Sequence, residues 1–285
     1  MRVKKDIIIQ IEPTTRCNHN CSYCPRYAIP DSRTFGDITP KMSDLLVKRF
    51  KETPREYNTL VSVSGFGEPT LYPDLIDWIC RIKTASRAFI RLNTNASLLD
   101  QVGSKIISSG CVDQLTLSLN LPSEELHKKH TGSEDYILCK RNIINFLHEK
   151  QARKPASDLR FIRIPDVTLR NNLKLYWSQH LNKNDQISVS SLANWGGLVG
   201  KKHTWSGSCR YLQHNPGKHL SIDKDGYASI CCFSVAFEHT HPLVVGNIRD
   251  HTIDELLTLA KLKAPELLNS SVCRGCNARF KGALK

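Results

Sequence analysis

Three cysteines within eight residues, Cys17, Cys21 and Cys24, follow the apolar run Ile7–Ile11 and stop just before Pro25. A loop with this C-x3-C-x2-C spacing can wrap its sulfurs round one face of a small inorganic core, but it offers only three ligands. A cubane cluster held by three thiolates keeps one iron without a protein ligand, and that iron can bind a cofactor or a substrate. The competing metal is zinc, with His19 or a distant residue as fourth ligand, although structural zinc sites usually pair two C-x2-C halves.

The rest of the first two-thirds of the chain alternates short apolar runs with longer amphipathic ones, the pattern of successive βα units. Strands are expected at Asp6–Glu12, Thr59–Ser64, Ala88–Asn93, Gln114–Asn120, Asp158–Ile164 and Gln186–Ser191. Helices are expected from Thr39-Pro40 to about Lys51, where a capping threonine precedes a proline at the first helical position, and at Tyr72–Ser86, Leu98–Ser109, Tyr136–Lys150 and Asn171–Asn182. Such a series forms an α/β fold with parallel pairing, either an open (β/α)6 barrel or a doubly wound sheet, and ligands gather at the carboxyl ends of the strands. The unusual segments of this half all sit at such ends. The cysteine loop follows the first strand, Gly65-Phe66-Gly67-Glu68-Pro69 the second, Thr94-Asn95-Ala96 the third and Ser118-Leu119-Asn120 the fourth.

From Asn194-Trp195-Gly196-Gly197 onward glycine, histidine and cysteine rise and the helical period lapses until Thr252–Leu262. Asp223-Lys224-Asp225-Gly226, between Leu220–Ile222 and Tyr227–Ile230, reads as a hairpin turn, and Lys201–Trp205 as an exposed loop. A boundary near residue 190 divides the chain into 1–190 and 191–285.

Composition narrows the function classes. The chain has 285 residues, 40% hydrophobic and 24% charged, with no stretch near the ~20 apolar residues that span a bilayer. The basic N-terminus precedes an apolar run too short for a signal peptide, so a cytoplasmic protein is expected. Eleven cysteines in that setting favour metal binding over disulfides. The net charge of +13 would suit nucleic acid or an anionic substrate, but the basic residues are spread along the chain rather than gathered, which favours a solvated surface.

The cysteine spacing, with the glycine-rich segment after the second strand, resembles the radical S-adenosylmethionine (SAM) superfamily. The resemblance implies that Cys17, Cys21 and Cys24 hold a [4Fe–4S] cluster whose open iron binds SAM. Gly67 and Glu68 then match a segment that binds the SAM amino group, with Phe66 standing where the common motif has a glycine. Tyr23 lies where the family places an aromatic near the adenine, and Asn95, Ser118 and Asn120 resemble positions contacting methionine or ribose. Each also has a plainer structural reading, as a core tyrosine or a strand cap. Toward the C-terminus, Cys209, Cys231, Cys273 and Cys276 follow the order of the "twitch" domain, a shortened SPASM domain. That likeness implies a second [4Fe–4S] cluster, and one only, since the sequence stops nine residues after Cys276; a zinc knuckle is the rival. Cys232 is a spare thiol, either packing or a hydrogen-atom donor. Cys80, Cys111 and Cys139 are expected to pack, and the histidines between His203 and His241 to lie on the surface.

The family resemblance implies an oxidoreductase or epimerase that abstracts a substrate hydrogen through a 5′-deoxyadenosyl radical, fed by a reductase such as flavodoxin or ferredoxin. Carbohydrate-tailoring members, which oxidise or invert a carbinol carbon of a sugar or aminocyclitol, are the nearest in architecture. A ribosomally made peptide is the second substrate class, disfavoured because the first strand begins near residue 6 and leaves no room for a recognition domain. A zinc protein binding nucleic acid is the third reading, with no membrane partner in any of them.

Overall fold

A computed structural model describes residues 5–28, 35–151, 153–162, 167–200, 209, 212–213, 215–233, 238–267 and 270–277. The loop expected at Lys201–Trp205 and the last two residues of the strand expected to reach Ile164 lie outside these.

Six parallel strands, β1 (Lys5–Ile11), β2 (Tyr57–Val63), β3 (Phe89–Thr94), β4 (Gln114–Asn120), β5 (Ala156–Ile162) and β6 (Gln186–Ser190), lie side by side in chain order. Between them run α1 (Pro40–Glu52), α2 (Leu75–Ser86), α3 (Leu99–Ser109), α4 (Glu124–Thr131), α5 (Tyr136–Lys150) and α6 (Val167–Ser178). This is the α/β fold with a partial (β/α)6 barrel expected above.

Most boundaries follow local chemistry. Thr39 caps α1 by accepting from the Met42 N–H, and Gly110 ends α3 at φ +62°. The second expected helix starts three residues late, because Pro69–Leu71 forms a separate 3-10 turn. The α6 helix begins four residues earlier than expected; Trp177 is its one buried residue among those described, so the apolar signal there is weak.

The strands alternate. Ile90, Leu92, Leu115, Leu117 and Leu159 join the core with helix residues such as Phe50, Trp78 and Phe146. Gln114-Leu-Thr-Leu-Ser-Leu-Asn120 shows the other half of the pattern, placing polar groups on the face opposite the helices, here termed the inner face.

The C-terminal third extends the same sheet. β7 (His219–Ile222) pairs parallel with β1 on the side away from β2, and β8 (Tyr227–Ser229) and β9 (Val244–Asn247) continue antiparallel, giving nine strands. The expected hairpin is present: Asp223 Oδ1 accepts from the N–H groups of Asp225 and Tyr227, with Gly226 at φ +85°. α7 (Ile253–Leu267) covers this end and α8 (Ser271–Gly275) follows. Arg49 of α1 donates to the Ile248 carbonyl at 2.8 Å, and the Tyr57 hydroxyl donates to Asp254, so both regions share contacts.

Two expectations are corrected. Cys80 and Cys111 do not simply pack; they form a disulfide with Cα atoms 5.2 Å apart, tying α2 to the turn before β4. Cys139 is buried as expected. His219 is also buried rather than superficial, because its strand lies between β1 and β8, and its Nδ1 bonds the Ile230 carbonyl.

Candidate active site

The cysteine loop is fastened to nearly every strand end beside it. The Glu68 N–H donates to the Arg16 carbonyl at 2.8 Å, which links the loop to the segment after β2. The Asn18 side chain accepts from Asn95 and donates to Ser97, beyond β3. Asn120, at the end of β4, donates to the Tyr23 hydroxyl at 3.2 Å. The N–H groups of Asn20 and Ser22 donate to carbonyls of Thr131 and His130 on α4 and its end. Arg16 grips Asp37 through two nitrogens at 2.8 and 2.7 Å. A loop held at so many points is pre-shaped for its ligand.

Gly65 and Gly67 serve this packing. A Cβ on Gly65 would lie 2.4 Å from Glu12 Oε1, and one on Gly67 2.2 Å from the Thr14 carbonyl oxygen. Gly65 therefore makes room for the Glu12 side chain and Gly67 lets backbone approach backbone. Phe66, where the common motif has a glycine, is buried against Trp195, with ring centroids 6.0 Å apart.

Glu68 is 3% exposed and collects four donors: the Thr70 N–H and hydroxyl and the Thr94 hydroxyl on Oε1, and the Asn95 N–H on Oε2. Burial raises its pKa, outweighing the donors that favour the carboxylate. Glu68 thus joins the ends of β2 and β3 besides presenting a carboxylate edge. Ala96 and Asn120 hold positive φ of +68° and +61°, backbone strain concentrated at the strand ends beside the loop.

All nine residues expected from the first site, Cys17, Cys21, Cys24, Tyr23, Gly67, Glu68, Asn95, Ser118 and Asn120, line one cavity of about 260 Å³. Burial is the main cause pushing the thiols up, Cys21 to about 12 and Cys24 to about 11, with the neighbouring thiols adding to it. Metal loading must therefore displace protons from all three. A larger cavity, about 750 Å³, lies at the amino-terminal ends of β2 and β3, away from these thiols.

Three residues of the site carry no motif. His19 and His127 each reach Asp135 at 2.9 Å, one on each carboxylate oxygen. Burial would raise the Asp135 pKa, but the hydrogen bonds from His127 and His19 prevail and hold it well below the usual carboxylate range. His19, the suggested fourth zinc ligand, is thus engaged by Asp135. Trp195, at φ +49°, lines the cavity and donates to the Tyr23 carbonyl at 3.2 Å. Its neighbour Asn194 donates to the Gly275 carbonyl at 2.7 Å, so this short segment bridges the first cysteine loop and the Cys273–Cys276 turn. A positive φ on tryptophan cannot be read from sequence, and the two histidines meet only through the fold.

The C-terminal cysteines stand apart from this cavity. Cys209, Cys231 and Cys273 pack against the edge of the core. Cys231 is pushed up by a hydrogen bond with Cys232 and then by burial, and Cys209 is close enough to add to the shift. Phe233 packs on Trp195 with centroids 4.9 Å apart, which links the segment after Cys232 to a residue of the cavity wall.

Residues 11–148 match the Radical SAM superfamily, and residues 209–277 match SPASM, an iron–sulfur cluster-binding domain. The chain carries a radical SAM domain followed by a SPASM domain. A probable GTP 3′,8-cyclase of Methanocaldococcus jannaschii is 32% identical over 45% of this chain and 41% of its own length. An uncharacterised protein of the same organism is 23% identical over 72% and 48%. The chain thus spans less than half the length of these relatives.

Among solved structures, BtrN in complex with AdoMet and 2-DOIA superposes with a TM-score of 0.61 at 17% identity, covering 96% of this chain and 94% of that one. The structure of anSMEcpe with bound AdoMet gives 0.64 at 17%, covering 98% and 92%. Streptococcus suis SuiB bound to precursor peptide SuiA gives 0.59 at 12%, covering 95% and 71%. At such identities the likeness is one of fold.

The cofactors of a radical SAM protein with a SPASM domain are a [4Fe–4S] cluster and SAM, with additional iron–sulfur in the C-terminal domain. The residues present fit them. Three thiols face one cavity, and that cavity's wall also carries Asn93 Oδ1 and His127 Nδ1, buried polar atoms with no partner among the described residues. No helix among the described residues is long and apolar enough to cross a membrane.

Proposed function

We propose that this radical SAM enzyme oxidises or epimerises a hydroxyl-bearing carbon of a sugar, aminocyclitol or related polar small molecule. The observation carrying the reading is the convergence of three thiols with Glu68, Asn95, Ser118 and Asn120 on one cavity at the carboxyl ends of the strands. When bound there, the cluster and SAM supply a 5′-deoxyadenosyl radical, able to remove a hydrogen atom that no side-chain base could take.

The chain's own residues then have positioning roles. Cys17, Cys21 and Cys24 hold the cluster, Glu68 and Gly67 receive the SAM amino group, and Tyr23 lies toward the adenine. Asn95, Ser118 and Asn120 orient its methionine or ribose. Cys209, Cys231, Cys273 and Cys276 would hold one auxiliary cluster, which would supply a one-electron acceptor for an oxidation. Residues 1–190 form the catalytic unit and 191–285 the auxiliary one. In an epimerisation, Cys232 returns a hydrogen atom. A cytoplasmic setting with flavodoxin or ferredoxin as reductant suits both reactions.

The alternative substrate is a ribosomally made peptide, favoured by the likeness to SuiB, which is bound to a precursor peptide, although only 71% of that chain is covered. The small-molecule reading is supported by BtrN, which is bound to 2-DOIA and matches over 94% of its length.

The test is anaerobic reconstitution followed by dithionite, SAM and candidate substrates. About eight irons per chain are expected, four for each full cubane, with 5′-deoxyadenosine formed and abolished by Cys17→Ala. A ketone product marks oxidation, and solvent deuterium at an inverted carbon marks epimerisation. A colourless protein holding stoichiometric zinc would overturn the reading.

A further inference from the structure

The inner face of the sheet, next to the cysteine cavity, is polar across its width. Strand register places Ser62 beside Arg91 and Arg91 beside Gln114. One step nearer the carboxyl ends, Asn93, Thr116, Asp158 and Gln186 form a continuous row over β3 to β6. A further step on, Arg160 pairs with Ser188. Asn93 and Ser118 belong both to this face and to the cavity wall, so the two surfaces are continuous.

A structural role does not account for these groups. Asn93 Oδ1, Thr116 Oγ1, Asp158 Oδ1 and Ser188 Oγ are all buried without a partner among the described residues. Buried polar atoms are normally paired, because an unpaired one has given up its water without a replacement. Four on neighbouring strands, all on one face, therefore mark a place where something else supplies the partners. Thr116 is 0% and Asp158 4% exposed, so bulk solvent does not reach them.

The charges on this face are also unbalanced. Arg160 bonds Asp158 Oδ2 at 3.1 Å, whereas Arg91, among the described residues, bonds the neutral Gln114. Burial and then the nearby Arg160 lower the Arg91 pKa, as expected for two guanidinium groups sharing one carboxylate. Two further acids at this end of the sheet are already engaged: Glu12, after β1, receives the Phe66 N–H, and Glu68, after β2, receives the Thr70, Thr94 and Asn95 donors.

We propose that this face is the substrate subsite, where Arg160 and Arg91 hold an oxyanion (phosphate or carboxylate) of a polyhydroxylated small molecule and Asp158, Thr116 and Asn93 pair with its hydroxyl or amine groups. The inference rests on the radical SAM reading and specifies its substrate class. Guanidinium groups suit this role, since their parallel N–H groups match an oxyanion's two oxygens. Asp158 offers an acceptor to a donor group, and its single charge moderates the two arginines.

The test is calorimetric titration of the cluster-loaded, SAM-bound protein with D-ribose, D-ribose 5-phosphate and D-gluconate. At least one charged probe should bind about tenfold or more tightly than ribose, and the tighter of the two identifies the oxyanion. Arg160→Gln should weaken that probe about ten- to hundredfold, the loss expected for a charged hydrogen bond. Arg160→Lys should recover part of it, and Arg91→Gln should act in the same direction as Arg160→Gln. Asp158→Asn should leave the charged probe bound as tightly or more tightly, an opposite sign that a purely structural role would not give.

Equal binding of all three probes, an Arg160→Gln variant that binds like the wild type, or weakening by both Arg160→Gln and Asp158→Asn would overturn the proposal. So would displacement of the charged probe by a short uncharged peptide. Iron content and SAM binding, measured on the same samples, test the radical SAM reading separately. Their loss in the wild type would sink that reading, whereas failure of the charged probes with both intact would sink only the subsite.

Discussion

Replacing the hydrogen of Gly67 by a methyl group would put a carbon 2.2 Å from the Thr14 carbonyl oxygen and 2.6 Å from that of Arg16. Both are backbone atoms in the cysteine loop and cannot turn aside, so the loop itself must move. Gly110 makes a useful control: its φ of +62° disfavours a side chain, but a Cβ there meets nothing within 4 Å. Gly110→Ala should therefore cost about 1–2 kcal/mol, the usual penalty of the left-handed region. Gly67→Ala should cost about 3 kcal/mol or more and reduce the iron retained after reconstitution, since overpacking against backbone has no side-chain escape. Denaturant unfolding of the two variants, with iron assays alongside, checks the contrast; equal losses would mean that Gly67 is free to move. The Gly67-Glu68-Pro69 segment was legible as a site because it follows the second strand and resembles the family's segment at that place. That its glycines accommodate Glu12 and Thr14 was not, because those contacts join positions more than fifty residues apart.

Elements differ in how plainly they announce themselves. The parallel strands were readable within a few residues, since β1 to β5 bury regular apolar sets against helices, and β6, with no buried residue, still alternates Ile187 and Val189 with polar neighbours. The α4 helix was missed because it has no apolar stripe: His127 and Thr131 are its buried residues. Ser123, which caps it by accepting the Leu126 N–H, and Gly132, which ends it at φ +68°, were the available signals. Its function is to support the cysteine loop. Backbone carbonyls near its end receive Asn20 and Ser22, and His127 shares Asp135 with His19. Asp135→Ala would remove both carboxylate hydrogen bonds at once. At about 1.5–3 kcal/mol for each bond to a charged group, stability should fall by about 3 kcal/mol or more. The first cluster should then be lost preferentially, with iron per chain falling toward about four because the auxiliary ligands are untouched. Iron analysis and the visible spectrum after gel filtration read this out, and a full complement of iron in the variant would show that Asp135 does not brace the loop.

On the scale of the whole molecule, cofactor chemistry and covalent stapling occupy different regions. The cysteine cavity lies at the carboxyl ends of the parallel strands, whereas the Cys80–Cys111 bridge joins α2 to the turn preceding β4, near the other end. The expectation that Cys80 and Cys111 merely pack failed here for a topological reason: a parallel sheet brings α2 beside the turn entering β4, bridging 31 residues of sequence. Sequence spacing carries no trace of that neighbourhood. A closed loop of this length stabilises a fold by about 3–4 kcal/mol in the chain-entropy account. The double variant Cys80→Ser/Cys111→Ser should accordingly unfold at lower denaturant by about that amount, while keeping its full iron content and its affinity for SAM. Dithiothreitol should lower the stability of the wild type to the level of the variant and leave the variant itself unchanged. If the variant instead lost iron, these two thiols would have to serve a cluster, and the separation of stapling from cofactor binding across the sheet would be wrong.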